Sequence, residues 1–93
     1  MATYVIETYL SRARAAEFEA VTARLRDAIA VTVMTMARSN AEPPVRLIRS
    51  YFVPEDETCF HVLEALSTEA AAEISRRAGL SPERVLEAEA TEG

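Results

Sequence analysis

Apolar positions along the chain change period several times, and each change marks an element. From Thr3 to Leu10 the pattern alternates: Tyr4, Ile6, Thr8 and Leu10 hold one parity, and Val5, Glu7 and Tyr9 the other. Alternation of period two with β-branched and aromatic residues predicts a first strand. From about Arg14 to Ser39 the period lengthens. Phe18, Val21, Leu25, Ile29, Thr32 and Met36 recur at three- and four-residue spacing, the stripe of an amphipathic helix, with Ser11 placed to cap it. Asn40 to Pro44 is predicted to end that helix, because two prolines cannot continue it. Val45–Val53 is the second strand, with Ile48 and Phe52 expected toward the helices and Leu47, Arg49, Tyr51 and Val53 away from them.

Pro54-Glu55-Asp56-Glu57 then breaks the run, and a third strand follows over about Glu57 to Ala65. So short a connection predicts an antiparallel hairpin. The third strand is apolar except at its ends, as expected of a central strand, and the hairpin, Phe60 included, is expected at the centre of the core. Ser67 or Thr68 caps a second helix whose stripe is Ala70, Ala71, Ile74 and Ala78, with Gly79 as its C-terminal stop. Arg84 to Ala90 alternates again and predicts a last, edge strand.

The order strand, helix, strand, strand, helix, strand folds as two interleaved split crossovers. It predicts an α+β, ferredoxin-like βαββαβ sandwich: a four-stranded antiparallel sheet with two helices on one face, in one domain spanning residues 1–93. Such an arrangement leaves one sheet face bare. By strand parity that face carries Val5, Tyr9, Leu47, Tyr51 and Val53, too apolar a set to stay wet comfortably. The segment from Ala28 to Ala37, AIAVTVMTMA, has no charge and reads either as a helix end buried within the subunit or as a contact between subunits. A homodimer is the expectation.

Composition narrows the partners. Fifteen acidic residues outweigh ten basic ones, all arginine and scattered, so a nucleic-acid partner is not expected. No apolar run approaches the ~20 residues of a membrane span, and the N-terminus lacks the basic and apolar blocks of a signal peptide. One cysteine makes no internal disulfide. These features predict a cytoplasmic protein without a membrane partner.

Candidate chemistry rests on few residues. Gly79 and Gly93 are the only glycines, so no glycine-rich phosphate loop exists, and no catalytic constellation is visible. An enzyme is not the expectation. Cys59 and His61, the only cysteine and the only histidine, lie two apart and share one face of the third strand. Two ligands do not complete a metal shell, and ordinary packing competes with metal binding for this pair. Glu7 is either a solvated charge or a ligand, and Arg49, expected beside it on the same face, reads as its ion-pair partner. Glu64 has the opposite parity to the pair and would join it only from elsewhere.

The stretch RSYFVPEDETCFHVLEA, followed by a helix and RRAGLSPERVLEA, resembles the DUF4242, or nickel-binding-protein-like (SCO4226-like), family of small bacterial proteins. Matching positions are Arg49, Tyr51, Pro54, Glu55, Cys59, Glu64, Gly79 and Val85, over Val45 to Ala90, with Tyr4 to Leu10 matching loosely. The resemblance implies a ferredoxin-like fold, usually dimeric, and nickel binding in at least some members. The chain departs at Ser75, where many relatives carry a histidine. Two readings follow. In one, this is a small metal-binding protein, for nickel or another divalent transition metal, using His61 with Cys59, Glu7 or Glu64. In the other, it is a non-enzymatic homodimeric module without metal whose sheet face holds a small ligand or partner.

Overall fold

The computed structural model describes residues 1–36 and 45–91, so the predicted helix exit at Asn40–Pro44 lies outside the described residues. Its elements are β1 (Ala2–Tyr9), α1 (Phe18–Met36), β2 (Val45–Val53), β3 (Thr58–Ala65), α2 (Thr68–Arg77) and β4 (Pro82–Ala88). The strands form one antiparallel sheet in the order β2-β3-β1-β4. Both helices pack on one face. This is the α+β, ferredoxin-like arrangement the element order predicts.

Local chemistry explains the element ends. Ser11 accepts from the Ala13 amide and starts a 3-10 turn over Arg12–Glu17, kinked at Arg14, so the regular helix begins at Phe18 and not at Arg14. Ser67 accepts from the Ala70 amide and caps α2. At the other end of α2, Gly79 takes a positive φ of 78°. Its amide and that of Leu80 close back on the carbonyls of Arg76 and Ser75 at 2.9 Å each, the hydrogen-bonded helix stop that favours glycine. The β2–β3 connection is a single 3-10 turn, Pro54–Asp56, closed by Glu57 in the left-handed region. Glu57 also anchors the hairpin to the end of β1: its carbonyl accepts from the Leu10 amide and its carboxylate from the Arg12 amide, both at 2.9 Å.

The core lies between the sheet and the helices. Tyr4 and Ile6 of β1, Leu63 and Ala65 of β3, Val21 and Leu25 of α1, and Ala71 and Ile74 of α2 are its buried centre. Parity in β1 and β3 is as the sequence predicts. In β2 it is not, because of a bulge. Leu47 stands opposite Leu63, but the next paired residue is Arg49, opposite Val62. One extra residue, Ile48, bows out of the ladder and resets the alternation. Leu47 therefore joins the helix-side face with Val45, while Ser50 and Phe52 continue on that same side. Ile48, expected in the core, is 48% exposed. Leu47, expected on the bare face, packs against the core. Phe52 does face the helices, and its ring stacks on Phe18 at the foot of α1, centroids 5.8 Å apart.

Two other expectations change. Phe60 belongs to the open sheet face and is only part-buried, so the core centres on the other side of β3. The uncharged end of α1 is only partly buried within the chain: Ala28 and Ile29 pack against the core, while Val31 is 63% and Met34 73% exposed. β4 begins and ends two residues earlier than predicted and, as expected, lies at the sheet edge.

Candidate functional site

His61 and Cys59 sit side by side on the helix-facing side of β3, both fully buried. Register brings two hydroxyls to them. In β2, Ser50 stands opposite His61, and in β1, Thr8 stands opposite Cys59. Ser50 Oγ lies 2.7 Å from His61 Nδ1, a short, strong contact, and Thr8 Oγ1 lies 3.4 Å from Nε2, a long one. A hydroxyl donates or accepts as its rotor allows, so this pair satisfies a neutral imidazole in either tautomer. Burial drives the His61 pKa from 6.5 down to about 4, because a buried imidazolium loses its hydration. Burial likewise raises the Cys59 thiol, against the opposing pull of its Thr8 hydrogen bond. At neutral pH the site holds a neutral imidazole and a protonated thiol.

That chemistry bears on metal binding. A metal ligand must present a free lone pair on a deprotonated group. Both ring nitrogens of His61 face hydroxyls, and the Cys59 sulfur lies where thiolate is disfavoured. The two carboxylates predicted as companions lie across the sheet. Glu7 pairs with Arg84 at 3.0 Å and Glu64 with Arg46 at 2.7 Å, both on the open face. The ion pair expected between Glu7 and Arg49 is thus made by Arg84, its cross-strand neighbour. Among the described residues no cluster of three or more His, Cys, Asp or Glu side chains could hold a metal ion. The fold brings His61 and Cys59 together, and the pleat of the sheet keeps Glu7 and Glu64 apart from them. Within a single chain these four residues do not fit a nickel site.

Sequence reasoning missed Ser50 and Thr8 as partners of the histidine. Thr8 has the parity that faces the helices, but serine and threonine in strands carry no signal of their own. Ser50 meets His61 through the hairpin register that runs unbroken from Val53 opposite Thr58.

The open face is built by the alternate residues. Reading across the strands, Tyr51, Phe60 and Glu7 with Arg84 form one row, and Arg49, Val62, Val5 and Leu86 the next. Tyr9, Tyr51 and Leu86 are exposed there. The result is an apolar centre bordered by two ion pairs, Glu7–Arg84 and Arg46–Glu64. Among the described residues no helix is long and apolar enough to cross a membrane.

Comparison with known proteins adds identity at this point. No curated protein matches the chain. The fold is similar to that of the structure described as "Crystal structure analysis of SCO4226 from Streptomyces coelicolor A3(2)", with a TM-score of 0.75 at 13% identity, over 98% of this chain and 100% of that one. At that identity the likeness speaks for the fold alone. The family described as nickel responsive protein SCO4226-like matches residues 4–88. That match runs from β1 to the end of β4, through both helices and the hairpin, and on that footing the chain belongs to the SCO4226-like family.

Proposed function

We propose that the chain is a small non-enzymatic module that works as a homodimer paired through its open sheet faces. The observation that carries this reading is the open face itself. Phe60, Val62, Val5, Tyr51 and Leu86 form a contiguous apolar patch on a sheet whose other face is fully used by the helices. Contiguous exposed apolar surface with charged borders is the anatomy of a protein contact, a dry centre inside a polar rim. A second copy of the same surface is its natural complement, since a twofold axis needs only one self-complementary patch.

The family description favours a second reading, metal binding, and the geometry sets a definite requirement for it. His61 would have to exchange its Ser50 contact for an ion, or the carboxylates of the open face would have to be supplemented by a partner subunit. The buried pair is better explained as packing: two hydroxyls hold a neutral imidazole that cross-links β1, β2 and β3.

Sedimentation equilibrium at micromolar concentration tests the first reading. The chain is expected at twice its mass, and Val62→Glu, which places a charge at the centre of each facing patch, is expected to return it to monomer. A wild-type chain that stays monomeric and soluble up to millimolar concentration overturns the dimer. Nickel titration of untagged protein tests the second. Stoichiometric binding that disappears in His61→Ala would instead place an ion on the buried pair.

A further inference from the structure

A groove lies between α1 and the outer edge of β2, sharing Ser50 with the buried pair. Its volume is about 780 Å³. One wall is a single face of α1, with Glu19, Thr22, Ala23 and Arg26 at spacings of three, one and three and Phe18 at its foot. The other wall is β2 from Leu47 to Ser50, the bulged stretch.

Three features of this groove bear on what it could hold. The first is a hydroxyl without a partner. α1 carries three threonines, and two of them bond back to the carbonyl one turn earlier: Thr32 to Ala28 and Thr35 to Val31, each at 3.0 Å. Thr22 is only 6% exposed, yet its Oγ1 makes no hydrogen bond. An unsatisfied buried hydroxyl is costly and ordinarily finds a partner. The second is the bulge. It sets the large apolar side chain of Ile48 at the mouth of the groove, 48% exposed, when a regular ladder would have left no extra residue there. Bulges gather beside sites where a side chain has to be re-aimed. The third is charge. Arg14, Arg46, Arg76, Arg77 and Arg84 are all held in ion pairs. Arg26, on the α1 wall of the groove, forms none among the described residues. One carboxylate, Glu19, stands near it in a chain whose net charge is −5.

We infer that this groove binds a small organic carboxylate, its apolar body lying on Phe18, Leu47 and Ile48 and its charge taken by Arg26. Guanidinium matches a carboxylate in shape as well as charge, through paired N–H donors. Two hydroxyls serve the same ligand. Ser50 lines the groove with its Oγ held by His61 at 2.7 Å, so its orientation is set before anything binds. Thr22 lines the groove with its hydroxyl still without a partner. An apolar wall with a few convergent polar groups is the usual make-up of a small-molecule site. The α1 wall of the groove lies on the opposite side of the sheet from the proposed dimer contact, so the site stands whether or not the chain pairs.

Hexanoate, with the isosteric neutral hexanamide as control, tests the assignment by amide chemical-shift titration of the full chain, up to about ten millimolar, the weak end of specific binding. Saturable shifts are expected along residues 18–26 and 47–50 with hexanoate and not with hexanamide. Arg26→Gln, an exposed change that leaves the helix intact, is expected to weaken binding about tenfold, the worth of one charge-assisted contact. Thr22→Val is expected to weaken binding severalfold while leaving the melting temperature equal or higher, an outcome that a packing role for the hydroxyl does not produce. Leu86→Glu, on the open face, is expected to leave hexanoate binding unchanged even where it abolishes dimerisation. Equal affinity for the two probes, no saturable shift, shifts centred on the open face, or undiminished binding in Arg26→Gln each overturns the inference.

Discussion

At the scale of single residues, His61 is the group whose chemistry the fold alters most. In the unfolded chain it titrates near 6.5; folded, it stays neutral down to about pH 4. Between those values the unfolded chain binds a proton that the folded chain refuses, so stability rises with pH across that window. The contribution is fully present above about pH 6.5 and is lost as pH falls toward 4. Its full size is about 3 kcal/mol by proton linkage. Denaturant midpoints measured from pH 7.5 to pH 4 are expected to fall along this window in the wild type and to flatten in His61→Leu. An equally steep fall in that variant would assign the acid sensitivity to carboxylates instead. Ser50→Ala leaves Nδ1 facing a void and is expected to cost about 1–3 kcal/mol, the usual penalty for an orphaned buried polar atom. None of this was legible in the spacing of Cys59 and His61. The sequence reading placed them correctly on one face, but the partners that decide their protonation come from β1 and β2.

At the scale of elements, β2 is where local pattern and tertiary structure part. Strict alternation from Val45 to Val53 cannot put Val45, Leu47 and Phe52 on one face, since Phe52 has the other parity; one inserted residue can. The hydrophobic demand of the core, opposite Leu63 and Ala65, selects Leu47 and expels Ile48. Paired substitutions measure this. Leu63→Ala is expected to cost about 2–5 kcal/mol, as for a fully buried leucine, and Ile48→Thr less than about 1 kcal/mol. Comparable losses, read from urea midpoints, would mean that Ile48 packs in the core after all. The end of α1 teaches a similar lesson. An uncharged run of ten residues from Ala28 to Ala37 reads as core or contact, and only the packing decides: Ala28 and Ile29 reach the core, while Val31 and Met34 stand exposed.

At the scale of the whole molecule, the helices cover one sheet face and leave the other open. If pairing buries that face, stability depends on protein concentration, because association favours the folded form by mass action. The melting temperature is expected to climb over about a hundredfold range of concentration. Phe60 makes the contrast sharp. In the isolated chain it is part-buried, and Phe60→Ala is expected to cost well below the ~3–5 kcal/mol of a core phenylalanine, whereas at dimerising concentrations the loss approaches that value. A melting temperature independent of concentration, with the same Phe60→Ala cost throughout, would remove the sheet face from the list of contacts.

Element order, strand parity in β1 and β3, the caps at Ser67 and Gly79, and the family resemblance were all determined by the sequence alone. Each rests on short-range physics: side-chain period, proline and glycine backbone limits, and hydroxyl caps acting within a few residues. The tertiary structure decided the rest. Whether Glu7 answers Arg49 or Arg84, whether Ser50 meets His61, and whether Ile48 faces the core depend on which strands become neighbours and where a ladder slips by one residue. Those choices are made by the energy of filling a shared core, summed over residues far apart in the chain, and no local window contains it.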